Sequence, residues 1–183
     1  REKGNPHRDV ARDRFGFALS YYENDYAPIN GMNMMAVDDF QDIQSSDLYN
    51  GNIRAATYDY FPGKDNEFED LADFGIRGVG YSYDQLNRLT GSENYEYDGT
   101  IFSPDQRYGT EYSYDANGNI ETLQRKDESG DELDYLEYHY DTPTSNQLMA
   151  VEDQVGPTSY EGDFEDHSEY DYDEIGNLKH DSE

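Results

Sequence analysis

Side chains able to do acid–base or metal chemistry are plentiful in this chain but poorly focused. Asp and Glu number 42 against 13 Lys and Arg, and the four histidines, His7, His139, His167 and His180, lie far apart. Only His139 sits inside a clear strand pattern, alternating with Tyr138 and Tyr140, which assigns it to a strand face rather than to a site. No His-x-x-x-His pair, Gly-x-Ser-x-Gly elbow or phosphate-cradling glycine loop occurs. With carboxylates everywhere, no one pair stands out as general acid and base. The sequence therefore nominates no catalytic residue, and no enzyme activity is expected.

Calcium is the metal these donors would suit, because hard oxygen ligands cluster at Asp163, Glu165 and Asp166, and again at Asp127, Glu128, Asp131, Glu132 and Asp134. Asp115-Ala116-Asn117-Gly118-Asn119 echoes the opening of a calcium loop, but its glycine falls too early and no glutamate closes a loop of EF-hand length. A turn explains the same residues, so no cofactor is expected. The 19 tyrosines could stack sugars, although covering a sheet is the simpler use for them.

Composition narrows the class of partner. A net charge of −29 repels nucleic acid and anionic membrane surfaces, and no run of about 18 apolar residues exists to span a bilayer. Absence of cysteine excludes a disulfide scaffold and a thiol nucleophile. Leu, Ile, Val and Phe supply only 30 of 183 residues, a fraction usual for disordered acidic chains, yet 15% of the chain is aromatic. Tyrosine on a thin sheet resolves the conflict, since its ring covers a pleated surface while its hydroxyl finds water or a partner.

The elements that carry these residues repeat. Tyr81-Ser82-Tyr83-Asp84-Gln85-Leu86-Asn87-Arg88-Leu89 aligns without a gap on Tyr112-Ser113-Tyr114-Asp115-Ala116-Asn117-Gly118-Asn119-Ile120 and on Tyr170-Asp171-Tyr172-Asp173-Glu174-Ile175-Gly176-Asn177-Leu178. Tyr138-His139-Tyr140-Asp141 reaches Asn146-Gln147-Leu148 through two extra residues, and Tyr49-Asn50-Gly51-Asn52-Ile53 keeps only the turn. The second tyrosines stand 31, 26 and 32 residues apart.

Tyrosines at i and i+2 share one strand face, with Ser82, Ser113, His139 and Asp171 on the other. Asp84, Asp115, Asp141 and Asp173 can each accept a backbone N–H and start a turn. Gly118 and Gly176, or Asn87 and Asn146, can take the positive φ that closes it. Each motif reads as strand, tight turn, strand. Strands are expected near residues 81–84, 88–91, 111–115, 119–125, 134–140, 147–152, 168–172 and 177–180. Residues 62–80 read as a glycine-rich surface connection with a short element at 68–74, and residues 126–134 as a charged hairpin tip. The fold predicted is all-β: antiparallel hairpins in one continuous curved sheet.

Tyr-Asp-x-x-Gly-Asn-Leu/Ile resembles the YD repeat of RHS-type proteins and of teneurin-like proteins, and Tyr83-Asp84-Gln85-Leu86-Asn87-Arg88-Leu89 is similar to a common variant of it. The resemblance covers residues 48–183. Residues 1–47 form a lead-in segment, in which Asp13-Arg14-Phe15-Gly16-Phe17-Ala18-Leu19-Ser20-Tyr21-Tyr22 resembles the stretch before such repeats in secreted bacterial members. The resemblance implies a secreted or cell-surface protein whose sheet spirals into a shell or barrel. Such a shell encloses a toxin or effector cargo, or serves surface contact, with glycan as a further partner. The family's end-of-shell signature has no counterpart, since Ser103-Pro104-Asp105 is too little of it. Beginning at Arg1 without a signal segment, the chain is expected to be a piece of a larger parent, with an open last strand that joins that parent or self-associates.

Overall fold

The computed structural model describes residues 15–22, 25, 42–60, 76–98, 100–156, 163, 164, 166–168 and 170–180. Frequent turns divide them into strands β1 (Phe15–Ser20), β2 (Ala55–Tyr60), β3 (Ile76–Tyr83), β4 (Leu89–Tyr97), β5 (Phe102–Tyr114), β6 (Ile120–Lys126), β7 (Glu132–Tyr140), β8 (Leu148–Asp153), β9 (His167–Ser168), β10 (Asp171–Tyr172) and β11 (Leu178–His180). The first nine pair in chain order as an antiparallel meander, while β10 and β11 form a two-stranded hairpin. The all-β expectation holds. Because β1 and β9 each have a single neighbour, the sheet does not close into a barrel among the described residues.

Register assigns the faces. Tyr81 lies opposite Ser92, Tyr112 opposite Leu123, and Tyr138 opposite Val151, so these tyrosines share one face with Leu136 and the neighbouring ladder positions. The other face carries the main core at its N-terminal end, where Ile43, Ala55, Tyr95 and Phe102 are buried together with Ala18, Ile76 and Tyr97 against them. Farther along, the same face turns polar, with Ser113 bonded to Thr122 at 2.6 Å.

The core depends on a plug that the repeat pattern does not reveal. Ile43 belongs to no strand, yet it is 1% exposed and lies over Gly78 and Gly80 of β3. Arg54 holds the plug's backbone: its Nε donates to the Ser45 carbonyl at 3.2 Å, and its Nη2 donates to the Ile43 carbonyl at 3.3 Å. The Tyr95 hydroxyl accepts from the Gln44 N–H at 3.1 Å and donates to Glu93 at 3.0 Å.

Two expectations are corrected here. Residues 76–80 are not part of a surface connection but the first half of β3. Their glycines serve close packing, since Cβ atoms there would meet Ile43 at 2.7 Å and 2.9 Å. The rest of that expected connection, including the element at 68–74, lies outside the described residues. The charged tip is also shorter than expected: only residues 127–131 turn, and Leu133 and Asp134 are buried within β7. The strand expected at 168–172 is divided between β9 and β10, and β2 and β1 extend the sheet before the first full motif.

Candidate functional site

The repeated turns share one geometry. Asp84 Oδ1 accepts the N–H groups of Leu86 and Arg88 at 2.8 Å and 2.9 Å, and its Oδ2 accepts Arg88 Nε at 2.6 Å. Asp115 Oδ1 takes the N–H groups of Asn117 and Asn119, both at 2.8 Å, and Oδ2 takes Asn119 Nδ2 at 2.9 Å. Asp173 repeats the pattern with Ile175 and Asn177. Asn87 (φ 64), Gly118 (φ 93) and Gly176 (φ 88) supply the left-handed residue. In all four copies the strand register slips immediately before the second tyrosine, and in the three copies of Tyr83, Tyr114 and Tyr172 the slip accompanies a turn closed by a left-handed residue.

Hydrogen bonding sets the ionisation of these turn residues. The Asp84 carboxyl is held below its ordinary value mainly by the Arg88 N–H. Asp173 is lowered mainly by the Asn177 N–H. At Asp115 desolvation pushes upward, but bonds from Asn119, Asn117 and Gly118 outweigh it. These carboxylates are occupied by their own turns, which leaves the Asp115 loop little capacity for calcium.

The third motif departs from the pattern. Asn146 has no positive φ, contrary to the sequence expectation. The Asp141 N–H still bonds to the Gln147 carbonyl at 3.1 Å, but Ser145 Oγ, not the Asp141 carboxylate, accepts the Gln147 N–H at 3.0 Å. The two extra residues lengthen the turn beyond the reach of the aspartate.

The second tyrosines link one motif to the next. Tyr83 Oη donates to the Ile53 carbonyl at 3.0 Å, Tyr114 Oη to Leu89 at 2.6 Å, Tyr140 Oη to Ile120 at 2.9 Å, and Tyr172 Oη to Leu148 at 3.0 Å. The acceptor is each time the residue at which the chain leaves the preceding turn. Pairing explains the need: β4 and β5 separate after Gly91 and Glu111, and β6 and β7 after Thr122 and Glu137. The carbonyls of Leu89 and Ile120 therefore have no strand partner on that side, and a half-buried orphan acceptor is costly. A tyrosine ring lying along the sheet carries its hydroxyl to the gap. Burial raises the Tyr83, Tyr114 and Tyr140 hydroxyls above their ordinary values, which keeps them protonated donors.

Polar contacts between adjacent turns run beside this ladder. Arg88 donates to the Asp115 carbonyl at 3.0 Å, and its guanidinium lies 4.6 Å from the Tyr114 ring centroid. Asn117 and Asn119 donate to the carbonyls of Pro143 and Ser145, both at 3.0 Å.

The charged hairpin tip expected at 126–134 turns in the same way as these motifs, a likeness that sequence reasoning missed. Asp127 Oδ1 accepts Ser129 and Asp131 N–H groups at 2.7 Å and 2.9 Å, and Gly130 has φ 84. The Asp-x-x-Gly spacing was visible, but Lys126 stands where the other motifs have tyrosine. It also missed a wide bulge in β5 opposite Ser92 and Asn94, where Tyr108 holds φ 58 and Arg107 grips Asp105 through Nη2 at 2.7 Å. Beside the bulge lies an open groove of about 540 Å³ whose lining includes Ser82, Glu93, Glu111 and Gln124 but no histidine.

The candidate metal donors are partly dispersed. Asp127 and Asp131 lie in the turn just described, and Asp134, 0% exposed, pairs with Arg125 and accepts the Phe164 N–H at 2.9 Å. Asp134, Asp153 and Asp163 each offer an oxygen, all within 4.8 Å of one another. Asp166 instead accepts the Asp153 N–H at 2.8 Å, and Glu165 lies outside the described residues. His139 is exposed on the polar face, its Nε2 3.4 Å from Glu152. His167 packs on Tyr170 with ring centroids 4.7 Å apart, His180 is exposed in β11, and His7 lies outside the described residues.

No protein-family model matches the chain, and no curated protein matches it. No helix among the described residues is long and apolar enough to cross a membrane.

Proposed function

We propose that this chain is a non-catalytic structural segment of a secreted or cell-surface protein of the RHS/YD-repeat kind. In this reading it forms part of a β-sheet wall that encloses a protein cargo or makes surface contact. The observation that carries the reading is the tyrosine ladder, in which the second tyrosine of each motif joins its turn to the one before. A wall needs that arrangement, because each motif is too small to bury a core alone and gains stability only from its neighbours. The Tyr-x-Tyr-Asp motif supports the family resemblance, and the dense negative charge suits a solvated outer surface.

An antibody raised against the chain tests the location on intact cells that produce the parent protein. Labelling of intact cells or of the medium is expected. Signal that appears only after permeabilisation would rule out the extracellular reading.

A second reading, calcium binding, is favoured by the convergence of Asp134, Asp153 and Asp163. A calcium-dependent rise in melting temperature that is lost in Asp153→Asn would support it, and an unchanged melt in calcium and in chelator would exclude it.

A further inference from the structure

We infer that Glu137, His139 and Glu152 form a binding site for a transition-metal dication of the zinc class on the polar face of β7 and β8. The inference goes beyond the structural reading above and does not depend on it. Glu137 of β7 stands directly opposite Glu152 of β8, and His139 stands opposite Ala150. Two carboxylates placed in this way repel each other across the strands. Their partners are His139, whose Nε2 lies 3.4 Å from Glu152 Oε2, and Gln154, whose amide donates to Glu137 Oε2 at 3.4 Å. Among the described residues no lysine or arginine pairs with either glutamate.

Glu137, His139 and Glu152 each offer one ligand atom, and the three atoms lie within 4.8 Å of one another. Carboxylate oxygens and imidazole nitrogens sit about 2.1 Å from a tetrahedral zinc ion, which sets them about 3.4 Å apart. His139 Nε2 and Glu152 Oε2 already stand at that spacing. Both side chains are about half exposed, so they have room to turn toward Glu137, and water can complete the coordination. The small side chain of Ala150 leaves the imidazole space to lean toward Glu152.

The imidazole decides the ion. Calcium and magnesium take oxygen ligands, whereas a mixed set of nitrogen and carboxylate oxygen suits zinc. It also separates this site from Asp134, Asp153 and Asp163, an all-oxygen set on the opposite face, since Asp153 pairs with Leu136 while Glu152 pairs with Glu137. A dication held here offsets the repulsion between the two glutamates and clamps β7 to β8. That hairpin is the one whose turn lacks the aspartate closure and relies on Ser145 instead.

Calorimetric titration of the whole chain with zinc chloride tests the site, in excess calcium so that all-oxygen clusters are already occupied. One saturable zinc equivalent is expected, together with a higher melting temperature in zinc than in chelator. His139→Ala and Glu152→Gln should each weaken zinc binding at least about tenfold, since even the outer partners of a ligand set are worth that much. Asp153→Asn should leave it unchanged. Circular dichroism in chelator shows that the variants are folded before zinc is added. Absence of saturable binding, or wild-type affinity in either His139→Ala or Glu152→Gln, would overturn the inference. So would loss of zinc binding in Asp153→Asn, which would assign the ion to the other face.

Discussion

The Tyr114 hydroxyl lies 2.6 Å from the Leu89 carbonyl, 25 residues earlier in the chain, and so ties the Asp115 turn to the strand that leaves the Asp84 turn. Removing that hydroxyl leaves the ring in place but strands a carbonyl that strand pairing cannot reach. Tyr114→Phe and Tyr140→Phe are each expected to cost about 1 kcal/mol. Tyr49→Phe, at a side chain 79% exposed, should change nothing. Urea unfolding of the three variants checks this; equal midpoints would show that the ladder contributes nothing to stability.

Gly118 separates backbone strain from packing. A Cβ there meets nothing within 4 Å, so any penalty comes from its φ of 93 alone. Gly118→Val should cost about 1–2 kcal/mol, with Gly118→Asn milder. His139→Ala, on the exposed polar face, should stay within about 0.5 kcal/mol. Thermal melts of the set decide it, and a tolerated valine with a damaging alanine would contradict both assignments.

Gly78 poses the opposite case, where space and not φ is limiting. Its added Cβ would lie 2.7 Å from Ile43 and 3.1 Å from Phe102. Gly78→Ala should cost about 1–3 kcal/mol by overpacking. The same change in an Ile43→Val background should cost measurably less, because the shorter side chain vacates the clash. Additive effects in the double-mutant cycle would mean that the plug does not sit on Gly78.

Acid should release the turns. Asp84, Asp115 and Asp173 are held below their ordinary value of 3.8, so in that range the unfolded chain binds more protons than the folded one. Their contribution is fully present above about pH 4 and is lost as pH falls through the depressed folded values. Loss of charge repulsion acts in the other direction on the whole molecule, so the useful quantity is the difference between wild type and Asp115→Asn. That difference should shrink as the pH of urea unfolding is lowered from neutrality to below 3.8; a difference that does not change with pH would refute the assignment.

Alkali should act on the core. Burial, with the bond to Glu93, pushes the Tyr95 hydroxyl up to about 12 from 10.0. The folded state then holds a proton that the unfolded state gives up, so the stabilisation is full below pH 10 and declines as pH rises through about 12. Phenolate absorbance should show a late-ionising tyrosine that disappears in Tyr95→Phe. Its persistence in that variant would move the assignment to another ring.

Much of the turn geometry was legible because it is local. An aspartate, the two N–H groups it accepts and the glycine that reverses the chain all lie within five residues, as in 115–119, and their chemistry does not depend on the rest of the fold. Alternating tyrosines likewise announce a strand with two unlike faces. Asn146 shows where the local rule stops: two inserted residues changed the turn, and Ser145 took the acceptor's place.

What the residues dictated by themselves, then, was a series of hairpins with tyrosine on one face, since φ preference and side-chain reach act over a few bonds. Only the tertiary structure decided which carbonyl each tyrosine would meet, that Ile43 would plug the sheet over Gly78, and that Asp134 would be drawn inside beside Arg125. Those contacts join residues 9 to 35 positions apart. They form because strands that separate at the turns leave unpaired carbonyls and a bare glycine surface, and only the assembled sheet determines which side chains lie close enough to fill them.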